Sequence, residues 1–425
     1  MSLPSGVMTT GGGEPTADWS RDESPCELTG PQRAGAAPPV GRSTRLAKFH
    51  VPEVVFGPGS LAELGHCTLR LGARRPFLVT DPGLIEAGWV DEAVGHLRRV
   101  GLRPVVWHDV TPNPKDREVE AGYQRYAESG SDVIIGVGGG SVIDAAKGVA
   151  ILSGNGGRIL DYEGVDQVVQ PIPPTVMVPS TSGTGADVSQ FAVITDTTEH
   201  IKITIVSRTL VPEISVIDPR LLTTMPDWLN AATGLDALTH AIEAFVSRAH
   251  NPLTDTHALH AVRLITGNLV RTQLEPKDFD ARLAMAQAAL EAGMAFTNAI
   301  LGATHAMSHQ VGGLLDAPHG VVNGVLLPHV IRFNAEAWPD RFVALGEAAG
   351  LATTGVEPYE VAARLADLVR ALADDVGVPK GLASLGVADS DVPVLARTTL
   401  KDACMATNPR DVQVHDVEVL FREAL

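Results

Sequence analysis

Asp236 and His240 stand four residues apart in Gly234-Leu-Asp-Ala-Leu-Thr-His240, and His305, His309 and His319 crowd into the segment 305–320. The stretch Asp227 to Val246 has no proline after Pro226 and reads as helix, so Asp236 and His240 fall one above the other on a single face. His305 and His309 repeat that spacing in a second helical stretch, and His319 follows in a Pro318-His319-Gly320 turn, where a helix should stop. One carboxylate with three imidazoles, converging from two helices and a turn, suits a divalent transition metal such as iron or zinc. Unpaired imidazoles would be costly to bury in segments this apolar, which argues for a shared ligand.

Two glycine-rich loops are the second candidate. Gly136-Val-Gly138-Gly139-Gly140-Ser141-Val-Ile-Asp144-Ala-Ala-Lys147 follows a β-branched run and opens a helix. Its amides, together with the helix amino terminus, suit a phosphate. It departs from the Rossmann fingerprint, which would need glycine where Ser141 stands. Pro179-Ser-Thr181-Ser182-Gly183-Thr184-Gly185 comes just past the next strand, so both loops could flank one crevice and hold diphosphate or nicotinamide ribose. Asp81 ends an earlier strand; a carboxylate there accepts hydrogen bonds from a ribose and repels a 2′-phosphate. An Asp before Pro82 is equally suited to forming a turn.

These residues need two kinds of scaffold. From about Phe49 to Pro219, short β-branched runs alternate with helical stretches. Strands are expected at 76–80, 103–107, 132–137 and 175–178, with helices near 89–100 and 118–128. That alternation predicts an α/β layer with ligands at the carboxyl ends of its strands. Phe191 to Thr195 and Ile201 to Val206 are expected to add a hairpin to that layer. Beyond about Leu221, apolar residues recur at helical spacing through 259–270, 283–296 and 361–372. Pro328 is expected to end or kink a shorter helix that begins near Val321. The chain therefore divides into a solvated tail (1–45), an α/β dinucleotide-binding domain (46–220) and an all-helical metal and substrate domain (221–425). The tail is rich in Gly, Pro, Ser, Thr and Ala and cannot offset its own ordering entropy.

A net charge of -17 repels nucleic acid and anionic membranes, so neither is an expected partner. Cys26, Cys67 and Cys404 lie far apart, too few for a disulfide framework, and fit a cytoplasmic protein.

From about Phe49 onward the chain resembles the iron-dependent (group III) alcohol dehydrogenases. The resemblance is carried by Phe56-Gly-Pro-Gly-Ser60-Leu, the Gly-Gly-Gly-Ser loop, Ser182-Gly-Thr-Gly185, Asp236-Ala-Leu-Thr-His240, the spaced histidines and Asn408-Pro-Arg410. It implies a dehydroquinate-synthase-like fold and an NAD-dependent enzyme, expected as a homodimer, that interconverts a small alcohol, diol or hydroxy acid with its carbonyl form. It places the metal, iron ahead of zinc, on Asp236, His240, His305 and His319, and proton transfer on His309. NAD is implied at Asp81, Gly138, Gly139, Gly140, Ser141, Asp144, Thr181, Thr184 and Lys202, and the substrate pocket at Phe296 and Cys404. The chain reads Ala186-Asp187 where the family often has Ser-Glu, and Met405-Ala-Thr407 where many members have Thr-Gly-Gly. A lyase or cyclase of the dehydroquinate-synthase type is the alternative. It would hold a phosphate-bearing substrate beside the metal, yet Ala303 to Gly320 contains no Lys or Arg.

Overall fold

The structure is a computed structural model that describes residues 48–199 and 201–425. The expected tail lies outside those residues. The strands are β1 (Glu53–Phe56), β2 (Pro76–Val79), β3 (Val105–Trp107), β4 (Val133–Gly138), β5 (Gly164–Val165), β6 (Thr175–Pro179), β7 (Phe191–Asp196), β8 (Ile201–Val206) and β9 (Ile214–Ile217). Helices α1 (Leu64–Arg70), α2 (Pro82–Glu86), α3 (Trp89–Arg99), α4 (Asp116–Ser129) and α5 (Gly140–Asn155) are interleaved with them.

Six strands form one parallel sheet in the order β1-β9-β6-β4-β2-β3. Its inner strands are buried on both faces, which is why they read as unbroken apolar runs rather than as alternation. Phe77, Val79, Ile134 and Met177 point into one layer with α4 and α5. Leu78, Ile135, Val137, Val176 and Val178 point into the other, beneath α1 and α3. β2, β4 and β6 are neighbours, so Asp81, the Gly138–Gly140 turn and Thr181 all leave the same carboxyl edge.

The four expected strands are present; β1 and β9 were not anticipated. The hairpin β7–β8 forms as expected, antiparallel from Phe191↔Val206 to Asp196↔Ile201. It does not join the parallel layer. It pairs instead with β5 in a separate three-stranded sheet, because the six-stranded sheet already ends on β1 and β3, and β8's free edge is taken by Gly164–Val165.

The carboxyl-terminal half comprises α6 (Asp227–Val246), α7 (Pro252–Leu274), α8 (Phe279–Ala299), α9 (Ala303–Leu315), α10 (His319–Ala335), α11 (Pro339–Ala348), α12 (Pro358–Asp375), α13 (Val392–Thr399) and α14 (Val414–Glu423). α6 is buried all round from Asn230 to Val246 and packs against α7, α8 and α10. A helix so enclosed must be apolar on every side, and its few charged residues must find partners within the core. α9 does stop before His319, at a left-handed Asp316, and His319 opens α10. Pro328 does not end α10, which continues to Ala335. The packing of Val325, Leu326, Val330 and Ile331 into the helical core outweighs the one backbone hydrogen bond a proline removes. Gly320 lets α10 start hard against α6: a Cβ there would lie 2.0 Å from the Ala232 carbonyl oxygen.

Candidate metal centre and nucleotide cleft

Asp236 Oδ1 is the hub of the centre. His305 Nε2 lies 3.6 Å from it, His319 Nε2 3.7 Å and His240 Nε2 3.8 Å. Asp236, His305 and His319 thus form one mutual cluster of donors, and His240 joins it through Asp236 and the His305 ring. Two of the rings are held from behind, while His240 Nδ1 is buried without a partner. His305 Nδ1 is 2.7 Å from Glu243 Oε2, and His319 Nδ1 is 3.0 Å from Ser308 Oγ, so both rings turn Nε2 toward the hub. Asn323, one turn beyond His319, donates to Asp236 Oδ1 at 2.8 Å.

Electrostatics favour a cation at this point. Burial opposes ionisation of Asp236, but the surrounding imidazoles, His240 first, hold its carboxyl far below the usual range. Burial pushes His240 down to about 4 and His319 well below its ordinary value, which leaves both as neutral lone-pair donors at pH 7. His305 is the exception: burial lowers it, yet hydrogen bonds to Asp236 and Glu243 raise it to about 9. In the absence of a metal, a proton therefore occupies His305 beside Asp236. A dication can replace it with the same ring as ligand, and three nitrogens and a carboxylate oxygen fit iron or zinc without a thiolate.

His309 lies next to the centre. Its ring stacks on His319 with centroids 5.2 Å apart and lies 6.1 Å from the His305 ring. Its Nδ1 is engaged elsewhere, 2.8 Å from Asp402 Oδ2. Phe296 stacks on His240 at 4.3 Å and faces Phe191, which closes the apolar wall on that side. Cys404 is buried in the same wall, and burial pushes its thiol well above the ordinary range.

The two glycine-rich loops touch. A Cβ on Gly139 would lie 3.2 Å from Thr181 Cγ2, and one on Gly140 2.7 Å from Thr184 Cγ2. α5 begins at Gly140 with no side-chain cap, so its first amides remain free for an anion. Thr181 Oγ1 and Ser182 Oγ are buried without a hydrogen-bond partner, the kind of unsatisfied atoms a nucleotide's polar groups would satisfy. Lys202 donates to Asn113 Oδ1 at 2.8 Å, and burial pushes its ammonium down to about 8. Burial also pushes the Asp144 carboxyl up, against the pull of Lys147.

One cleft of about 170 Å³ connects the two ends. Its lining includes Gly140, Ser141, Asp144, Thr184 and Lys202 together with Asp236, His240, His305, His309 and His319, and also Phe296 and Cys404. Gly138, Gly139, Thr181 and Asp81 are not part of its lining. Asp81 caps α2, accepting from Leu84 N at 3.0 Å. The turn-forming reading of this residue is therefore realised, which leaves a ribose contact to its remaining acceptor capacity.

Sequence reasoning missed Glu243, Asn323 and Asp402. Two had a signal. Glu243 continues the Asp236–His240 stripe three residues further, and Asn323 is four beyond His319, so each shares a helix face with a candidate ligand. Asp402 had none, since a loop residue is brought to His309 by tertiary packing alone.

The chain is similar to known proteins along most of its length. Residues 52–219 match the model of iron-containing alcohol dehydrogenase, and residues 230–425 that of the carboxyl-terminal part of the Fe-containing alcohol dehydrogenase family. A 1,3-propanediol dehydrogenase of Citrobacter freundii is 42% identical over 385 residues, covering 90% of this chain and 100% of that protein. An NAD-dependent methanol dehydrogenase of Bacillus methanolicus is 36% identical over 381 residues, 89% of this chain and 100% of that protein. The crystal structure of a 1,3-propanediol oxidoreductase superposes with a TM-score of 0.87 at 40% identity, over 90% of this chain and 100% of that one. The chain belongs to the iron-containing alcohol dehydrogenase family, metal-dependent oxidoreductases of alcohols and aldehydes with a dehydroquinate-synthase-like fold.

Proposed function

We propose that this enzyme interconverts short, unbranched aldehydes with primary alcohols and diols. It does so with NAD(H) and one divalent metal, iron ahead of zinc, held by Asp236, His240, His305 and His319. The observation that carries this reading is the single cleft running from the α5 amino terminus to the four-donor centre. The relatives support it further: one is named for a three-carbon diol and another for NAD-dependent methanol oxidation. The wall of Phe191, Phe296, Leu301 and Cys404 beside the donors favours a short apolar chain.

When bound, the metal supplies Lewis acidity toward the substrate oxygen and the nicotinamide ring accepts or returns a hydride. The chain's own residues do the rest. The two loops and Lys202 hold the dinucleotide, with the diphosphate at the free amides of α5. Phe191 and Phe296 keep water from the reacting carbon. Asp402 holds His309 Nδ1, which leaves Nε2 as the atom that takes and returns the alcohol proton. Asp81 excludes a 2′-phosphate and so favours NAD over NADP. In this reading residues 46–220 form the nucleotide-binding domain and 221–425 the metal and substrate domain. The enzyme is a cytoplasmic homodimer, consistent with the free, buried Cys67 and Cys404; light scattering on the purified chain tests the dimer. Among the described residues no helix is long and apolar enough to cross a membrane.

The decisive assay supplies NADH and a panel of short aldehydes to iron-loaded protein. NADH oxidation that requires both metal and aldehyde is expected. A fully loaded protein that consumes no NADH with any of them would sink the proposal.

A further inference from the structure

Glu243 belongs to the metal centre without touching the donor hub. It follows Asp236 by seven residues and His240 by three, so α6 carries a third buried ionisable group on the face that supplies two donors. Its carboxylate is 2 % exposed and accepts three hydrogen bonds. Gly302 N donates at 3.0 Å and Thr304 N at 2.6 Å, both amides from the start of α9. His305 Nδ1 completes the set at 2.7 Å. Asn408 Oδ1 takes the intervening amide, Ala303 N, at 3.1 Å. A glycine at 302 leaves the necessary room, since a Cβ there would lie 3.1 Å from Glu243 Oε1.

Capping alone does not account for this arrangement. Helix amino termini are ordinarily capped by a short polar side chain at the preceding position. Here the acceptor comes from a different helix, 59 residues earlier in sequence, and is a full charge taken out of water. A buried carboxylate is costly unless its charge is used, and the partner that uses charge is the imidazole.

We infer that Glu243 is a positioning residue for the metal: it fixes His305 with Nδ1 protonated and Nε2 presented to the donor hub, and it locks that ring to the first turn of α9. This inference rests on the reading of His305 as a ligand. The ring's orientation and basicity then depend on Glu243, and so does the hold on a divalent cation, although the acid never contacts the ion.

The test measures Co²⁺ affinity by chelator competition on metal-depleted, full-length protein, together with the visible d–d spectrum of the Co²⁺ form. Glu243→Gln removes the charge and sets its one amide group either against Thr304 N or against Gly302 N and His305 Nδ1. Its affinity is expected to fall by about 10- to 100-fold, with a changed spectrum. Glu243→Asp keeps the charge on a shorter stem and is expected to fall between Glu243→Gln and the parent. His305→Ala is the control that separates the two ideas. If His305→Ala binds Co²⁺ as the parent does, the ligand reading itself falls. If His305→Ala loses Co²⁺ while Glu243→Gln retains parental affinity and spectrum, the inference about Glu243 is overturned. That second result holds even where the melting temperature of metal-free Glu243→Gln drops, since pure capping predicts that drop and nothing more. Should Glu243→Gln fail to fold, Glu243→Asp decides by the same comparison.

Discussion

The two ends of the cleft are built on opposite principles. At the proposed metal end, ionisable side chains on three helices gather around Asp236; Glu243 and Ser308 hold His305 and His319 from behind, and Asn323 Nδ2 stands among the donor atoms. At the proposed nucleotide end stand an uncapped helix start, two loops in close contact and buried hydroxyls without partners. The first end is rigid and electrostatically poised before any ligand arrives; the second is a shape that a ligand completes. Substitutions should therefore separate the two ends, with metal content reporting on one and dinucleotide affinity on the other.

The largest expected effect is at the metal end. His305→Ala removes one of the four proposed donors and the only one of their three imidazoles raised above neutral pH, to about 9, in the metal-free protein. Metal analysis should show it lost together with turnover, while NADH binding persists. Full metal occupancy in that variant would break the contrast at its root.

His309→Ala should fall between the two ends. Its ring stacks on His319 but its Nδ1 is held by Asp402, so metal and dinucleotide should both remain bound. Turnover should fall by about 10²- to 10⁴-fold, the usual range for a lost general acid–base group. Metal lost from this variant would make His309 a ligand. An unaltered pH profile at reduced rate would leave it only an orienting role.

The next effect needs no mutation. His305 is raised to about 9 in the metal-free protein, whereas His240 lies at about 4. Below pH 9 an incoming metal must therefore displace one proton, from His305 and not from His240. Apparent affinity should rise about tenfold per pH unit as pH increases toward 9 and then level off. Chelator competition at several pH values measures the slope; a flat profile between pH 6 and 8 would mean that no such proton is present.

Gly140→Ala probes the other end. Its new Cβ would lie 2.7 Å from Thr184 Cγ2 and must push the two loops apart. Overpacking of this kind costs about 1–3 kcal/mol. NADH affinity should weaken by roughly tenfold or more while metal content stays at the parental level, as a fluorescence titration and metal analysis would record. Loss of metal would show that the two ends are not separable.

The same contrast explains what the sequence disclosed. Side-chain chemistry at helical spacing is local, so Asp236 could be paired with His240 and His305 with His309 from the sequence, while the choice of His319 over His309 as a donor came from the family resemblance. The inner strands β2, β4 and β6 were legible because burial on both faces makes them continuous apolar runs; β3 is a half-buried edge strand found from Val105-Val-Trp107, and β9, though fully buried, is only four residues long. Edge strand β1 is half-exposed and only four residues long, too weak a pattern to find. The hairpin's local pairing was legible but not its sheet, because β5 contributes only Gly164–Val165 and no periodicity can reveal two residues. Pro328 does not end its helix for a related reason: a local rule about proline yields to the packing of the apolar residues around it. Glu243 was readable in principle, standing on the stripe already singled out, but its partner is a ring on another helix.

The smallest expected effect concerns Asp81, where one residue serves both structure and recognition. Its carboxylate caps α2 through Leu84 N, and the proposal also gives it the exclusion of NADP. Asp81→Gly would remove both roles, though glycine at a cap costs only a few tenths of a kcal/mol. Asp81→Ser separates them better, because a hydroxyl still accepts from an amide two or three residues on yet carries no charge. Its melting temperature should match the parent, since Ser and Asp cap about equally well. The ratio of kcat/KM for NAD to that for NADP should move toward NADP, by an amount limited to one solvent-screened charge at a strand-end loop. Steady-state kinetics with both cofactors measure it. An unchanged ratio at unchanged stability would leave Asp81 as a cap alone, and cofactor choice would then belong to other residues at the sheet's carboxyl edge.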